Sequence, residues 1–398
     1  MSLSAVWMLG LLAAFLALLW RKPDLRVPRH AVLLLFLLAL TVRLTPSALL
    51  ARQGNFDIQS FRLVGETLGH RTDVYTHPDT FKRYPYLPLQ MLWMLAAARL
   101  SVAAGMPFPF TVRLLPILVD ALIPLAILSL LRRKGDPRAW RAGLLYALNP
   151  VSVFVSACHG QFDALPAALA LLALTDPSAP RGALWLGLGI LDKSWPVLAW
   201  PLWVARLRAW RKRALYTLLM GSIPLLAVAF YALFLHAPAT MALKRALSYN
   251  HGIGIWGYTY LLRLLLPQPA FWRFTSLARW VTLGALALIW WQRARHRAPA
   301  AGFLDILLGF LALGHAFSIQ YLLWPLPFAA LAGEEHYLGR YVLAAFAYMF
   351  LAYYTLIFHN TITNLLPWPQ ADLYLIILAG LPAWLVTVAW LRVRWRQS

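Results

Sequence analysis

The chain has 398 residues, 61% of them hydrophobic and only 13% charged. A soluble domain carries roughly 25% charged residues, so this composition excludes a water-soluble globular fold of this length. The net charge of +22 would suggest nucleic acid on a soluble protein, but here it is spread over short loops, where membrane topology and anionic lipid account for it.

Apolar runs of about 20 residues, the length that crosses a bilayer core of roughly 30 Å, recur along the chain. The first, Ser2 to Trp20, has no basic residue before it. Arg21 and Lys22 follow it without a small-residue cleavage site, so it reads as a retained helix with its N-terminus outside. Basic clusters at Arg21–Arg29, Arg132–Arg141, Arg206–Arg213, Arg293–Arg297 and Arg392–Arg396 mark the cytoplasmic side. Threading helices between them predicts spans at roughly 3–20, 31–50, 112–131, 141–157, 163–175, 182–192, 195–206, 214–235, 271–292, 302–317, 319–333, 341–358 and 371–391. The expected fold is all-α, one integral membrane domain over 1–398, a polytopic bundle of about 13 helices with its C-terminus inside.

The apolar run 87–105 does not fit this serpentine, because a full crossing there would put the Arg132–Arg141 cluster outside. It reads as a re-entrant or juxtamembrane helix on the outer face, with a true span and an inverted N-terminal half as the alternative. Two long outer segments result, at about 51–112 and 236–270. The single cysteine, Cys158, excludes an intramolecular disulfide. Arg greatly outnumbers Lys and no Asn-x-Ser/Thr sequon occurs, a composition that points to a bacterial inner (plasma) membrane.

Four polar stretches stand out on the outer side. The first loop carries Asp57, a carboxylate at the membrane surface placed to take a proton from a substrate hydroxyl, or else a solvated loop acid. The turn His159-Gly160-Gln161-Phe162-Asp163 joins two apolar helices. Asp163 is either a functional boundary group or a helix N-cap. In Asp192-Lys193-Ser194-Trp195-Pro196 the lysine needs a partner, either a lipid phosphate or Asp192 itself. The fourth stretch sets His315, Ser318, Gln320 and Tyr321 in an apolar context. Outer cations at Arg52, Arg62, Arg71, Lys82, Arg83, Arg99, Arg113, Lys244, Arg245 and Arg263 break the positive-inside bias. A phosphate at headgroup level would account for them, and so would the weak hold of that bias on long loops.

In this order the four stretches resemble the multi-spanning glycosyltransferases of the GT-C superfamily, over most of the chain. The resemblance rests on Asp57 and on Val74-Tyr75 followed by Tyr84-Pro85-Tyr86-Leu87-Pro88-Leu89. It continues through Arg113 with Asp120, Asn149-Pro150 with His159-Gly160-Gln161-Phe162-Asp163, Lys193-Ser194-Trp195-Pro196, and Ser318-Ile319-Gln320-Tyr321-Leu322-Leu323-Trp324. The last two are most similar to the GPI-type mannosyltransferase branch. The resemblance implies a polyprenyl-phosphate sugar donor, a lipid or glycan acceptor, and inverting transfer on the outer face with Asp57 as general base. It implies that Lys82, Arg83 and Lys193, with Lys244 and Arg245 beside them, stabilise the leaving phosphate, and that Tyr84 is a further substrate-binding residue. His159, Gln161 and Asp163 would orient sugar hydroxyls, His315, Gln320 and Tyr321 would close the site, and Tyr249–Tyr258 would form a lid. Many relatives carry Asp-x-Asp in the first loop, whereas this chain reads Asp57-Ile58-Gln59, so a metal-independent reaction is expected, with a divalent ion as the alternative. The competing reading is a transporter or lipid flippase, whose polar residues would lie at the midplane on repeated broken helices.

Overall fold

The computed structural model describes residues 2–21, 27–248, 258–357 and 371–396. Most of those residues are helical, with no strand among them. In hydrocarbon every backbone polar group must be satisfied internally, and a helix does this within one segment. The N-terminal half comprises α1 (Leu3–Arg21), α2 (Ala31–Leu49), α3 (Phe56–Gly69), α4 (Gln90–Ala104), α5 (Phe108–Arg133), α6 (Ala139–Ala147), α7 (Pro150–Val153), a π turn at Phe154–His159, α8 (Ala164–Thr175) and α9 (Ala179–Asp192). A 3-10 turn at Trp195–Ala199 leads into α10 (Trp200–Val204), α11 (Trp210–Leu235), α12 (Ala239–Ser248), α13 (Tyr258–Leu265), α14 (Gln268–Gln292) and α15 (Pro299–Leu313). A second 3-10 turn, Ile319–Leu323, precedes α16 (Leu326–Ala332), α17 (Glu335–Leu351) and α18 (Ala371–Arg396).

Six segments among the described residues are long and apolar enough to cross a membrane: Leu3–Arg21, Ala31–Leu49, Phe108–Arg133, Ala139–His159, Trp210–Leu235 and Gln268–His296. The chain is a helical integral membrane protein. Several other expected spans are short helices, although 371–391 falls on the 26-residue α18. The 12 residues of α8 cover about 18 Å against a core of roughly 30 Å. Region 195–206 holds only a five-residue 3-10 turn and the five-residue α10, each with proline in its first turn. The ambiguous run 87–105 forms α4, whose 15 residues reach about 22 Å. Of the expected lid, residues 249–257 lie outside the described residues.

The chain divides into two units. The first comprises Met1–Phe36, Pro124–Phe154 and Asn250–Ser398, the second Leu37–Ile123 and Val155–Tyr249. In the first unit, Arg394 near the end of α18 is buried and bonded to Asp305 of α15 and to Glu334. The Arg394 carbonyl accepts from Arg293 and Arg297. These bonds give the last turn of α18 cationic partners for a carbonyl end that would otherwise lack them.

The second unit is built around α3 and α4. The two helices run close because Gly65 has no side chain: a Cβ there would lie 2.6 Å from the Met94 carbonyl oxygen. Between them the chain folds over an aromatic cluster of Tyr75, Tyr84, Tyr86 and Tyr231. Their hydroxyls are used locally. Tyr75 donates to the Tyr86 carbonyl and Tyr84 to the Leu87 carbonyl, both at 2.8 Å.

Candidate functional site

Asp57 stands in the first turn of α3, where the partial positive charge of the helix start favours a carboxylate. Asn55 caps that helix by accepting from the Ile58 N–H at 2.9 Å. The Asn55 Nδ2 also donates to the His159 carbonyl at 2.9 Å. One asparagine therefore fixes both the start of α3 and the turn that carries His159.

That turn is a π turn, a form enriched at functional sites because it breaks helical register locally. It closes with Gly160 and Gln161 both donating to the Val155 carbonyl, at 3.1 and 3.0 Å. Gly160 has φ +84, and a Cβ there would come within 3.0 Å of the Arg113 side chain, so glycine is needed on both counts. Arg113, fully buried, donates to the carbonyls of Leu50, Gln53 and Cys158, each at 2.8 Å. It ties the exit of α2 to the π turn. Sequence reasoning placed Arg113 among outer cations facing phosphate, and its burial against three carbonyls corrects that placement.

The turn delivers two donors to one carboxylate oxygen. His159 Nε2 lies 2.8 Å from Asp57 Oδ2, and Gln161 Nε2 donates to the same atom at 2.6 Å. The Asp57 side chain is 33% exposed and His159 7%. Burial raises the Asp57 carboxyl, but the bond and charge of His159, the Gln161 amide and the Lys193 ammonium outweigh it and hold the group below its ordinary value. Asp57 is thus an ionised carboxylate, held on one oxygen and reachable from solvent.

Behind it, Gln161 Oε1 accepts from Lys193 Nζ at 3.1 Å, and Lys193 Nζ pairs with Asp163 Oδ2 at 2.6 Å. Lys193 is 4% exposed and Asp163 0%. The Tyr86 ring covers the ammonium at 4.9 Å. The sequence left two partners open for Lys193, a lipid phosphate or Asp192, and the partner is Asp163. Asp192 bonds instead with Gln90 of α4. Asp163 precedes α8 but makes no side-chain cap bond there, so its carboxylate serves the lysine and not the helix start.

Lys82 and Arg83 lie at the edge of this unit. Lys82 is exposed, with its ammonium 5.6 Å from the Phe81 ring, and Arg245 of α12 stacks on the same ring at 4.0 Å. Arg83 donates to Ser60 Oγ at 3.3 Å and sits over the Phe56 ring at 5.0 Å. Tyr84 is buried and its hydroxyl is occupied by Leu87, which removes it from the expected substrate contacts. His315, Gln320 and Tyr321 belong to the first unit. Gln320 is buried there and Tyr321 stacks on Trp324 at 4.0 Å. Burial, followed by the charge of Arg279, lowers the His315 imidazole below its ordinary value. No protein-family model and no curated protein matches this chain.

Sequence reasoning missed a second polar centre in this unit. Arg43 of α2 pairs with Asp120 of α5 at 2.7 Å, both wholly buried, and Ser156 of the π turn donates to the same Asp120 oxygen at 2.8 Å. The signal was present: an arginine in one apolar run and an aspartate in another are each costly alone, and each predicts a partner. Asn55, Tyr86 and Gln90 were missed because their roles depend on chain reversal and not on local pattern. Among the described residues no group of three or more His, Cys, Asp or Glu side chains could hold a metal ion.

Proposed function

We propose that the chain is a membrane glycosyltransferase of the GT-C type. It moves a sugar, mannose or another hexose, from a polyprenyl-phosphate donor to a lipid-linked or glycan acceptor. The observation that carries this reading is the Asp57 carboxylate, ionised, partly exposed, and bonded to His159 and Gln161 through one oxygen only. The other oxygen is the one offered to an acceptor hydroxyl. As that hydroxyl oxygen bonds to the anomeric carbon, the carbon–phosphate oxygen bond breaks, the hydroxyl proton passes to Asp57, and polyprenyl phosphate leaves with inversion. Lys82 and Arg83, with Lys244 and Arg245, supply positive charge for the departing phosphate. Lys193 does not join them, since it is buried against Asp163; it positions Gln161 and through it Asp57. His315, Gln320 and Tyr321 stay assigned to closing the site by the resemblance alone.

The wider frame of this reading is a bundle of about 13 helices in a bacterial plasma membrane, with the site on the outer face. The first loop offers Asp57-Ile58-Gln59 and no second nearby carboxylate in sequence, which supports a metal-independent transfer. The buried Arg43–Asp120 pair favours a second reading, a transporter with an ionisable pair inside its spans. The two separate on Asp57→Asn, assayed for transfer of labelled sugar from a polyprenyl-phosphate donor in proteoliposomes. Loss of transfer with an unchanged melting temperature is expected, and full retained transfer removes Asp57 as the base.

A further inference from the structure

One groove of the second unit takes no part in the sugar-transfer reading. It lies between the end of α3, α4, the end of α9 and the last turns of α11, and it holds about 420 Å³. Its walls include Leu92, Leu95, Phe230 and Phe234. Leu92, Phe230 and Phe234 are 62%, 70% and 57% exposed. The two phenylalanines sit on α11, a helix long and apolar enough to cross a membrane, so hydrocarbon is the solvent this wall fits.

Arg71 and Arg99 line the same groove. Both are exposed, and no carboxylate among the described residues pairs with either. Arg71 follows α3 with φ +57, a backbone conformation that glycine or asparagine adopts at lower cost. The loop beyond it is pinned to α11: the Tyr231 hydroxyl donates to Asp73 Oδ1 at 2.7 Å and accepts from the Val74 N–H at 2.9 Å. These two bonds fix the loop that follows Arg71 against α11. An apolar trough edged by two guanidinium groups is complementary to an amphiphile with one hydrocarbon chain and a phosphate, because the planar fork of arginine binds phosphate in two-point contact. The volume gives room for one hydrocarbon chain. These are also two of the outer cations for which the sequence offered a headgroup-level phosphate as one explanation.

We propose that this groove binds an anionic glycerophospholipid, with its phosphate on Arg71 and Arg99 and an acyl chain along Leu92, Leu95, Phe230 and Phe234. The site stands on the membrane-embedded fold and does not depend on the transferase reading. The test uses the full chain in a neutral detergent, titrated with phosphatidylglycerol, phosphatidylcholine or polyprenyl phosphate, with bound lipid counted by native mass spectrometry. Phosphatidylglycerol is expected to bind more tightly than phosphatidylcholine by about fivefold for each arginine engaged. Arg71→Gln with Arg99→Gln is expected to erase that preference at an unchanged melting temperature. Leu95→Trp, which fills the trough, is expected to weaken both phospholipids alike. Equal binding of the two phospholipids, or a preference that survives the arginine substitutions, overturns the proposal. Displacement of phosphatidylglycerol by equimolar polyprenyl phosphate also overturns it, by making the groove a substrate site.

Discussion

Replacing Lys193 by methionine tests the buried half of the site. The substitution keeps most of the volume and removes an ammonium that is 4% exposed and 2.6 Å from Asp163. Removing one partner of a buried ion pair costs about 3–5 kcal/mol, because the other charge stays buried. Against a typical total of about 5–15 kcal/mol, that is a large fraction of the stability. Lys193→Met is therefore expected to lower the denaturation midpoint strongly, measured by chemical unfolding of purified protein in detergent. Lys193→Met combined with Asp163→Leu removes both charges and is expected to recover most of the loss, giving a coupling energy of about 2 kcal/mol or more. The recovered protein should still transfer poorly. Its Gln161 has lost the ammonium that holds Oε1, so the amide is free to turn away from Asp57. A fall in kcat with little change in donor KM is expected. Additive losses in the double variant would refute the pairing argument. Full kcat in the double variant would reduce Lys193 to a packing role. A raised donor KM at constant kcat would return Lys193 to direct phosphate contact.

Gln161→Leu removes one donor from Asp57. The Gln161 amide is one of the groups that hold the Asp57 carboxyl below its ordinary value, so its loss is expected to let that carboxyl rise. Because the native group is held low, the transfer rate is lost only as pH falls through that lowered value, and Gln161→Leu should move this acid limb upward; a kcat/KM profile that does not move refutes the assignment. Asp120→Leu strands the Arg43 guanidinium and should cost about 3–5 kcal/mol in unfolding experiments, with Arg43→Met in the same chain relieving most of it. Transfer in the presence of excess EDTA is expected to continue at its normal rate, and its abolition, with recovery on adding a divalent ion, would overturn the metal-independent reading.

Composition and apolar run length were enough to read a helical membrane protein, because hydropathy acts residue by residue. They overread the short runs. Segments such as 195–206 are apolar up to Arg206, but Pro196 and Pro201 break them into single turns, which hydropathy does not register. The polar turns were legible for the same reason that makes them useful: Asp57, His159, Gln161, Asp163 and Lys193 are conspicuous in apolar surroundings. Their pairing was not. Lys193 has an acid beside it in sequence, yet it pairs with Asp163, thirty positions earlier. Adjacent residues at the end of α9 point in different directions, and only packing decides which meets which. Burial was equally invisible for Tyr84 in the first outer segment and for Arg113 on α5, which pattern alone cannot tell from exposed neighbours.

The π turn makes the site sensitive to counting. Its six residues from Phe154 to His159 are apolar or small apart from the histidine, and the candidate span that contains them, Ala139–His159, has 21 residues. A hydrocarbon core tolerates spans of about 17–25 residues, so an insertion or deletion of one residue here would leave the crossing acceptable to the bilayer. Each added residue rotates the downstream chain by about 100° in helical geometry. A single-codon insertion or deletion in this turn would therefore swing the imidazole away from Asp57. Two chains alike in hydropathy across this span would differ in whether His159 reaches Asp57.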